Sequence, residues 1–152
     1  MNNVVGPLLA LALVTAGQSA VKPNFSGAWK MNLAKSDFGM LPPPASMSRT
    51  ITHAEPALTI VDEQKSDIGD QNTTRKYVTD GTEMSFEAGG APVKSSAVWT
   101  ENTLLVVSKV DAIGATFNDK MSLSEDGKTL TSRVHITSPQ GEVDLTVVFD
   151  RQ

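Results

Sequence analysis

The sequence predicts an all-β fold, an up-and-down antiparallel barrel of about ten strands. Four observations lead there. After residue 20 the chain is dominated by β-branched and hydroxylated residues. Turn signals recur at about the 8–12-residue spacing of sandwiches and barrels. The connections are short, which favours consecutive hairpins over crossovers, and no stretch sustains a helical period.

The first segment stands apart. Residues 1–20 carry no charged side chain and include "VVGPLLALALVTA", an apolar run short for a membrane span. Small residues follow at Ala16, Gly17, Ser19 and Ala20, so 1–20 is expected to be a secretory signal peptide, with 21–152 as a single β-barrel domain. Val14-Thr15-Ala16 fits a small-x-Ala cleavage pattern better than Gln18-Ser19-Ala20. An exported protein, secreted or periplasmic and without stable membrane insertion once the leader is removed, is the corresponding expectation.

Strands are predicted at 26–33, 46–54, 57–66, 71–79, 82–88, 93–100, 103–110, 115–124, 129–137 and 142–151. The one long link, "AKSDFGMLPPPA" at 34–45, has three prolines that forbid helix and favour an extended path. A turn at Glu55-Pro56 pairs His53 with Leu58, Ile51 with Ile60 and Arg49 with Asp62. Ser46, Ser48, Thr50 and Thr52 then form a hydroxylated outer face, while Met47, Arg49, Ile51 and His53 point inward. A two-residue turn at Asp80-Gly81 would set Tyr77 opposite Met84 and Arg75 opposite Phe86. Trp99 faces Leu104 across Glu101-Asn102, in a strand apolar on both faces. Asp126-Gly127 pairs Leu123 with Leu130 and Phe117 with Ile136, placing Asp119 inside. Pro139-Gln140 pairs Ile136 with Val143, Val134 with Leu145 and Leu130 with Phe149. A one-residue slip in any of these would turn the apolar set outward.

Composition narrows the function. There is no cysteine, hence no disulfide framework and no thiolate metal site. The net charge is −4 and the thirteen Lys and Arg are dispersed, which argues against nucleic acid or an anionic membrane as partner. Two isolated histidines, His53 and His135, on distant strands make a poor metal site. No Ser, Cys or second His joins His53 and Tyr77 in a recognisable catalytic constellation, so no catalytic residue is assigned.

The motif Phe25-x-Gly27-x-Trp29-Lys30 on the first strand, the meander that follows and Arg151 at the end of the last strand resemble the calycin superfamily, the lipocalins and fatty-acid-binding proteins. That resemblance implies that Trp29 lies beneath Arg151 and closes one end of the barrel. "FSGAWKMNLAKSDFG" and "SLSEDGKTLT" are also similar to a group of uncharacterised exported bacterial lipocalin-like proteins. Fatty-acid-binding proteins place two helices between their first two strands; the proline-rich 34–45 link differs from them there.

Two functions remain in play. The first is a binding protein enclosing a small hydrophobic or amphipathic molecule, with Arg49, His53, Arg75 and Tyr77 as polar anchors, no cofactor, and 34–45 over the mouth. The second is a non-enzymatic interaction or structural module whose interior is filled by its own side chains. In that case Arg49 pairs with Asp62, and Arg75 with Asp119 or solvent. No particular protein partner is indicated.

Overall fold

Ten antiparallel strands make one sheet: β1 (Gly27–Met31), β2 (Ser46–Ala54), β3 (Ala57–Lys65), β4 (Gln71–Val78), β5 (Met84–Ala88), β6 (Ala91–Thr100), β7 (Thr103–Val110), β8 (Ala115–Leu123), β9 (Thr129–Ser138) and β10 (Gly141–Arg151). This is a computed structural model, and it describes residues 21–152; the leader expected at 1–20 lies outside the described residues. Across the sheet the order is β4-β3-β2-β1-β10-β9-β8-β7-β6-β5. Pairing of β1 with β10 carries the sheet round into a barrel, and one seam, between β4 and β5, has no ladder.

The registers follow side-chain parity. Arg49 lies opposite Asp62 and His53 opposite Leu58. Trp99 lies opposite Leu104, Phe117 opposite Ile136, and Leu130 opposite Phe149. Inward residues of alternating strand positions (Ile51, Leu58, Ile60, Leu104, Met121, Leu130 and Phe149) are nearly inaccessible, while intervening Thr, Ser, Lys and Glu face water.

The Asp80-Gly81 hairpin requires correction. Tyr77 and Met84, and likewise Arg75 and Phe86, are not ladder partners, because the chain leaving β4 is captured by other strands. The Thr79 N–H donates to Pro56 O at 2.8 Å and the Gly81 N–H to Ala97 O at 2.9 Å, with Asp80 bridging to Val98. Gly81 takes φ +90°, which suits glycine and lets the chain cross towards β6. The strands splay, and Tyr77 and Phe86 meet edge-on across the seam, with centroids 6.1 Å apart.

The long link is part of the wall. After one 3-10 turn at Leu33–Lys35, Asp37 exchanges two 2.7 Å backbone hydrogen bonds with Thr146 of β10, and Phe38 packs on the core. The short β1 is thus continued along β10 by irregular chain, where two helices would stand in a fatty-acid-binding protein. Residues 34–45 do not line the interior cavity described below.

Candidate functional site

One end of the barrel is shut. Phe25, just before β1, is fully buried and stacks on His53 and on Trp99, each at a centroid distance of 5.6 Å. Its N–H donates to His53 Nδ1 at 3.2 Å, and its carbonyl accepts from Trp29 Nε1 at 3.0 Å. The other ring nitrogen of His53, Nε2, lies 2.7 Å from Glu55 Oε1. An acceptor role at Nδ1 leaves Nε2–H to donate, which fixes the tautomer. Glu55 also accepts from Trp99 Nε1 at 2.8 Å and from Thr79 Oγ1 at 2.6 Å. Burial alone would raise the Glu55 carboxyl, but the bonds from Thr79, His53 and Trp99 hold it below its usual value.

Arg151 covers this end from outside. Its guanidinium carbon sits 4.2 Å from the centre of the Trp29 ring, while Nη1 donates to Ser26 O at 2.7 Å and Nε to Gly127 O at 2.8 Å. Gly27 makes the room: it has φ +140°, and a Cβ there would stand 2.5 Å from Arg151 Nη1. The Gly-x-Trp spacing thus has a steric cause on both sides. The ring needs a cation above it, and the cation needs a neighbour with no side chain.

The other half of the barrel is hollow. A cavity of about 350 Å³ lies among Met47 of β2, Phe86 of β5, Val106 of β7, Phe117 of β8, Ile136 of β9 and Leu145 of β10. Most of these residues are half-buried, so the cavity opens away from the closed end. A side recess lined by Gln64, Gln71, Thr73 and Phe86 adjoins it along the β4–β5 seam, sharing Asp62 and Arg75.

A charged cluster lies between the two halves. Arg49, 6 % exposed, makes a bidentate pair with Asp62: Nε to Oδ1 at 2.7 Å and Nη2 to Oδ2 at 2.9 Å. Its guanidinium also lies over the Phe149 ring at 4.5 Å, and Nη1 reaches Ser132 Oγ at 3.4 Å. Arg75 Nη2 donates to the same Asp62. Ser132 donates in turn to Asp119 Oδ2 at 3.1 Å. Burial works to raise the Asp62 carboxyl, and the two guanidiniums overcome it and bring it below the usual carboxylate range. Burial would likewise depress Arg75, but Asp62 holds its proton more firmly than usual. Asp119 has no such fork, and burial pushes its carboxyl up against the pull of Arg49 and Arg75. Burial also pushes the Tyr77 hydroxyl up, so it stays neutral.

Of the four residues expected to anchor a ligand, Arg49, Arg75 and Tyr77 line the cavity and His53 does not. His53 points inward as its parity requires, but it stands four residues further along β2 than Arg49, outside the cavity lining, and both ring nitrogens are engaged in the closed end. Phe25 of the first-strand motif occupies His53 instead, by ring stacking and by its N–H. The shared parity of Phe25, Gly27 and Trp29 was the signal for it. The arginines are not free forks either, since Asp62 takes both. Trp29 and Arg151 stand together as the closure. Among the described residues no group of three or more His, Asp or Glu is placed to hold a metal ion.

No family model matches the sequence, and no curated protein matches it. Solved structures do match its fold. Zebrafish ileal bile acid-binding protein complexed with cholic acid aligns over 84 % of this chain and 98 % of its own, with a TM-score of 0.62 at 15 % identity. A secretory abundant heat soluble protein from Ramazzottius varieornatus aligns over 84 % and 95 %, with a TM-score of 0.65 at 10 % identity. Fatty-acid-binding protein 1 of Echinococcus granulosus aligns over 84 % and 96 %, with a TM-score of 0.58 at 12 % identity. The fold is a calycin-like barrel.

Proposed function

We propose that this protein is a binding protein that takes a small hydrophobic or amphipathic molecule into the open half of its barrel, and that it does so after export. The observation that carries the binding reading is the cavity itself: about 350 Å³, walled by Phe, Val, Ile, Leu and Met side chains, with one polar cluster at its floor. That distribution orients an amphipathic guest, since the apolar wall rewards buried hydrocarbon at about 25 cal/mol per Å² and the cluster offers a fixed polar partner. Structural neighbours whose names include bile acid and fatty acid support the reading at the level of fold. The cavity counts against the alternative, a structural module packed solid by its own side chains. Export rests on the short apolar run within residues 1–20 and the small residues that follow it at Ala16, Gly17, Ser19 and Ala20.

Native mass spectrometry of the isolated protein, together with titration by the neutral fluorophore N-phenyl-1-naphthylamine, tests the binding reading. A saturable fluorescence rise with one site per chain supports it. The absence of both a co-purifying mass and any probe uptake would overturn it. The intact mass of protein recovered from outside the cytoplasm, short by the leader, tests export.

A further inference from the structure

Inside the barrel two guanidiniums face two carboxylates, and they do not all find each other. Asp62 takes three hydrogen bonds from Arg49 and Arg75, and Ser132 links Arg49 to one oxygen of Asp119. Among the described residues two buried atoms on cavity-lining residues are left with no hydrogen-bond partner, Nε of Arg75 and Oδ1 of Asp119. One is a donor, the other an acceptor. Buried polar groups in folded proteins are nearly always paired, so a donor and an acceptor left over beside the same cavity mark where a guest's polar end belongs.

We propose that Arg75 Nε and Asp119 Oδ1 hold the head group of the ligand, and that this head group is a neutral hydroxyl on an otherwise apolar molecule, a carboxylate being admitted only together with a proton. The inference rests on the binding function proposed above and adds the chemical class of the guest. A hydroxyl can donate its hydrogen to Asp119 Oδ1 and accept the Arg75 N–H on its oxygen, so one group carries both functions that the two atoms lack. A carboxylate only accepts. It satisfies Arg75 and sets a second negative charge against Asp119.

Charge balance leads the same way. The groups around Asp119 are Arg49 on β2, Asp62 on β3, Arg75 and the neutral Tyr77 on β4, and Ser132 on β9, with Val106 opposite it on β7. With both aspartates ionised, the two arginines are balanced and an added anion has no counter-charge in an apolar cavity, a costly arrangement. One proton on Asp119 removes the conflict, because Oδ1 becomes a donor and the anion is met from both sides. Burial raises the Asp119 carboxyl and so lowers the cost of that proton, against the pull of Arg49 and Arg75.

Displacement of N-phenyl-1-naphthylamine by dodecanol and by dodecanoate at neutral pH tests this in wild type and Asp119→Asn. The variant carries one more net positive charge in the barrel, and its alcohol-to-carboxylate affinity ratio is expected to fall about tenfold or more. Calorimetry of the wild type in two buffers of different ionisation enthalpy needs no variant. It is expected to read about one proton taken up with dodecanoate and none with dodecanol. A ratio unchanged in folded Asp119→Asn, dodecanoate bound without proton uptake, or a saturably bound probe that yields to neither compound would each overturn the head-group assignment alone. Failure of the probe to bind at all would instead overturn the binding function on which it rests.

Discussion

The two ends of this barrel are built from side chains of one parity on the same strands, yet they differ in what those side chains touch. At the closed end Phe25, Trp29, Leu104 and Leu130 are within 1 % of complete burial, and every polar atom of His53 and Trp99 has a named partner. At the open end Met47, Phe117, Ile136 and Leu145 remain half-exposed around empty volume, and the polar cluster beneath them leaves two atoms unpaired. Closely packed protein interiors contain few voids larger than a water molecule. The contrast teaches that close packing and open volume are divided along the barrel axis: one half is packed to hold the sheet closed, and the other gives up packing to leave room.

The largest effect should come where the two halves join. Asp62→Ala leaves two buried guanidiniums without their shared carboxylate and is expected to cost about 3–5 kcal/mol in denaturant unfolding. Its pH dependence has a definite sign. The folded-state carboxyl lies below its ordinary value, so its contribution is present above the ordinary aspartate range and is lost as pH falls through the lowered one. The stability gap between wild type and the variant should therefore close on acidification. A gap that persists in acid would mean that Asp62 acts by packing.

The comparison itself breaks or holds on a matched pair of truncations. Phe25→Ala is expected to cost about 3–5 kcal/mol, as for a fully buried aromatic ring. Phe117→Ala removes the same ring from the cavity wall and is expected to cost about 1 kcal/mol or less, while weakening probe binding. Equal costs would show that the open half is packed as tightly as the closed one.

Smaller still is the lid on the closed end. Gly27→Ala puts a methyl where Arg151 Nη1 lies and forces a φ that alanine rarely adopts. It should displace the guanidinium, cost on the order of 1 kcal/mol, and shift Trp29 fluorescence. Arg151→Gln should shift it similarly. The slightest effect concerns the seam: amides of β4 and β5 that face each other without a ladder should exchange hydrogen faster than those of the β8–β9 pair.

Parity was what the sequence made legible. Alternation placed Arg49 opposite Asp62, Phe117 opposite Ile136 and Leu130 opposite Phe149, because a slip by one residue would have turned each apolar set to water. The Asp80-Gly81 signal misled because a turn dipeptide reports local backbone freedom, and here long-range hydrogen bonds to Pro56 and Ala97 decided the path. The side occupied by Trp99 was open in a strand apolar on both faces, and only the stack with Phe25 and His53 settles it inward. The site was legible in its members and in one connection, Arg49 to Asp62, and not in the others. Arg49, Arg75 and Tyr77 were identifiable from parity, but one carboxylate taking both arginines and another left half-satisfied depend on β2, β3 and β4 meeting β8 and β9 in space. Glu55, which accepts from His53, Trp99 and Thr79, looked like a turn residue because Trp99 and Thr79 are distant in sequence.

The division along the axis is tested most directly by filling the empty half. Val134 points into the cavity opposite Leu145 and Asp119. Titrating N-phenyl-1-naphthylamine into wild type and into Val134→Trp, with thermal unfolding of both, should show saturable uptake by the wild type only, and a variant that still unfolds cooperatively. Equal uptake by both would place the probe on the outer surface and contradict the hollow half.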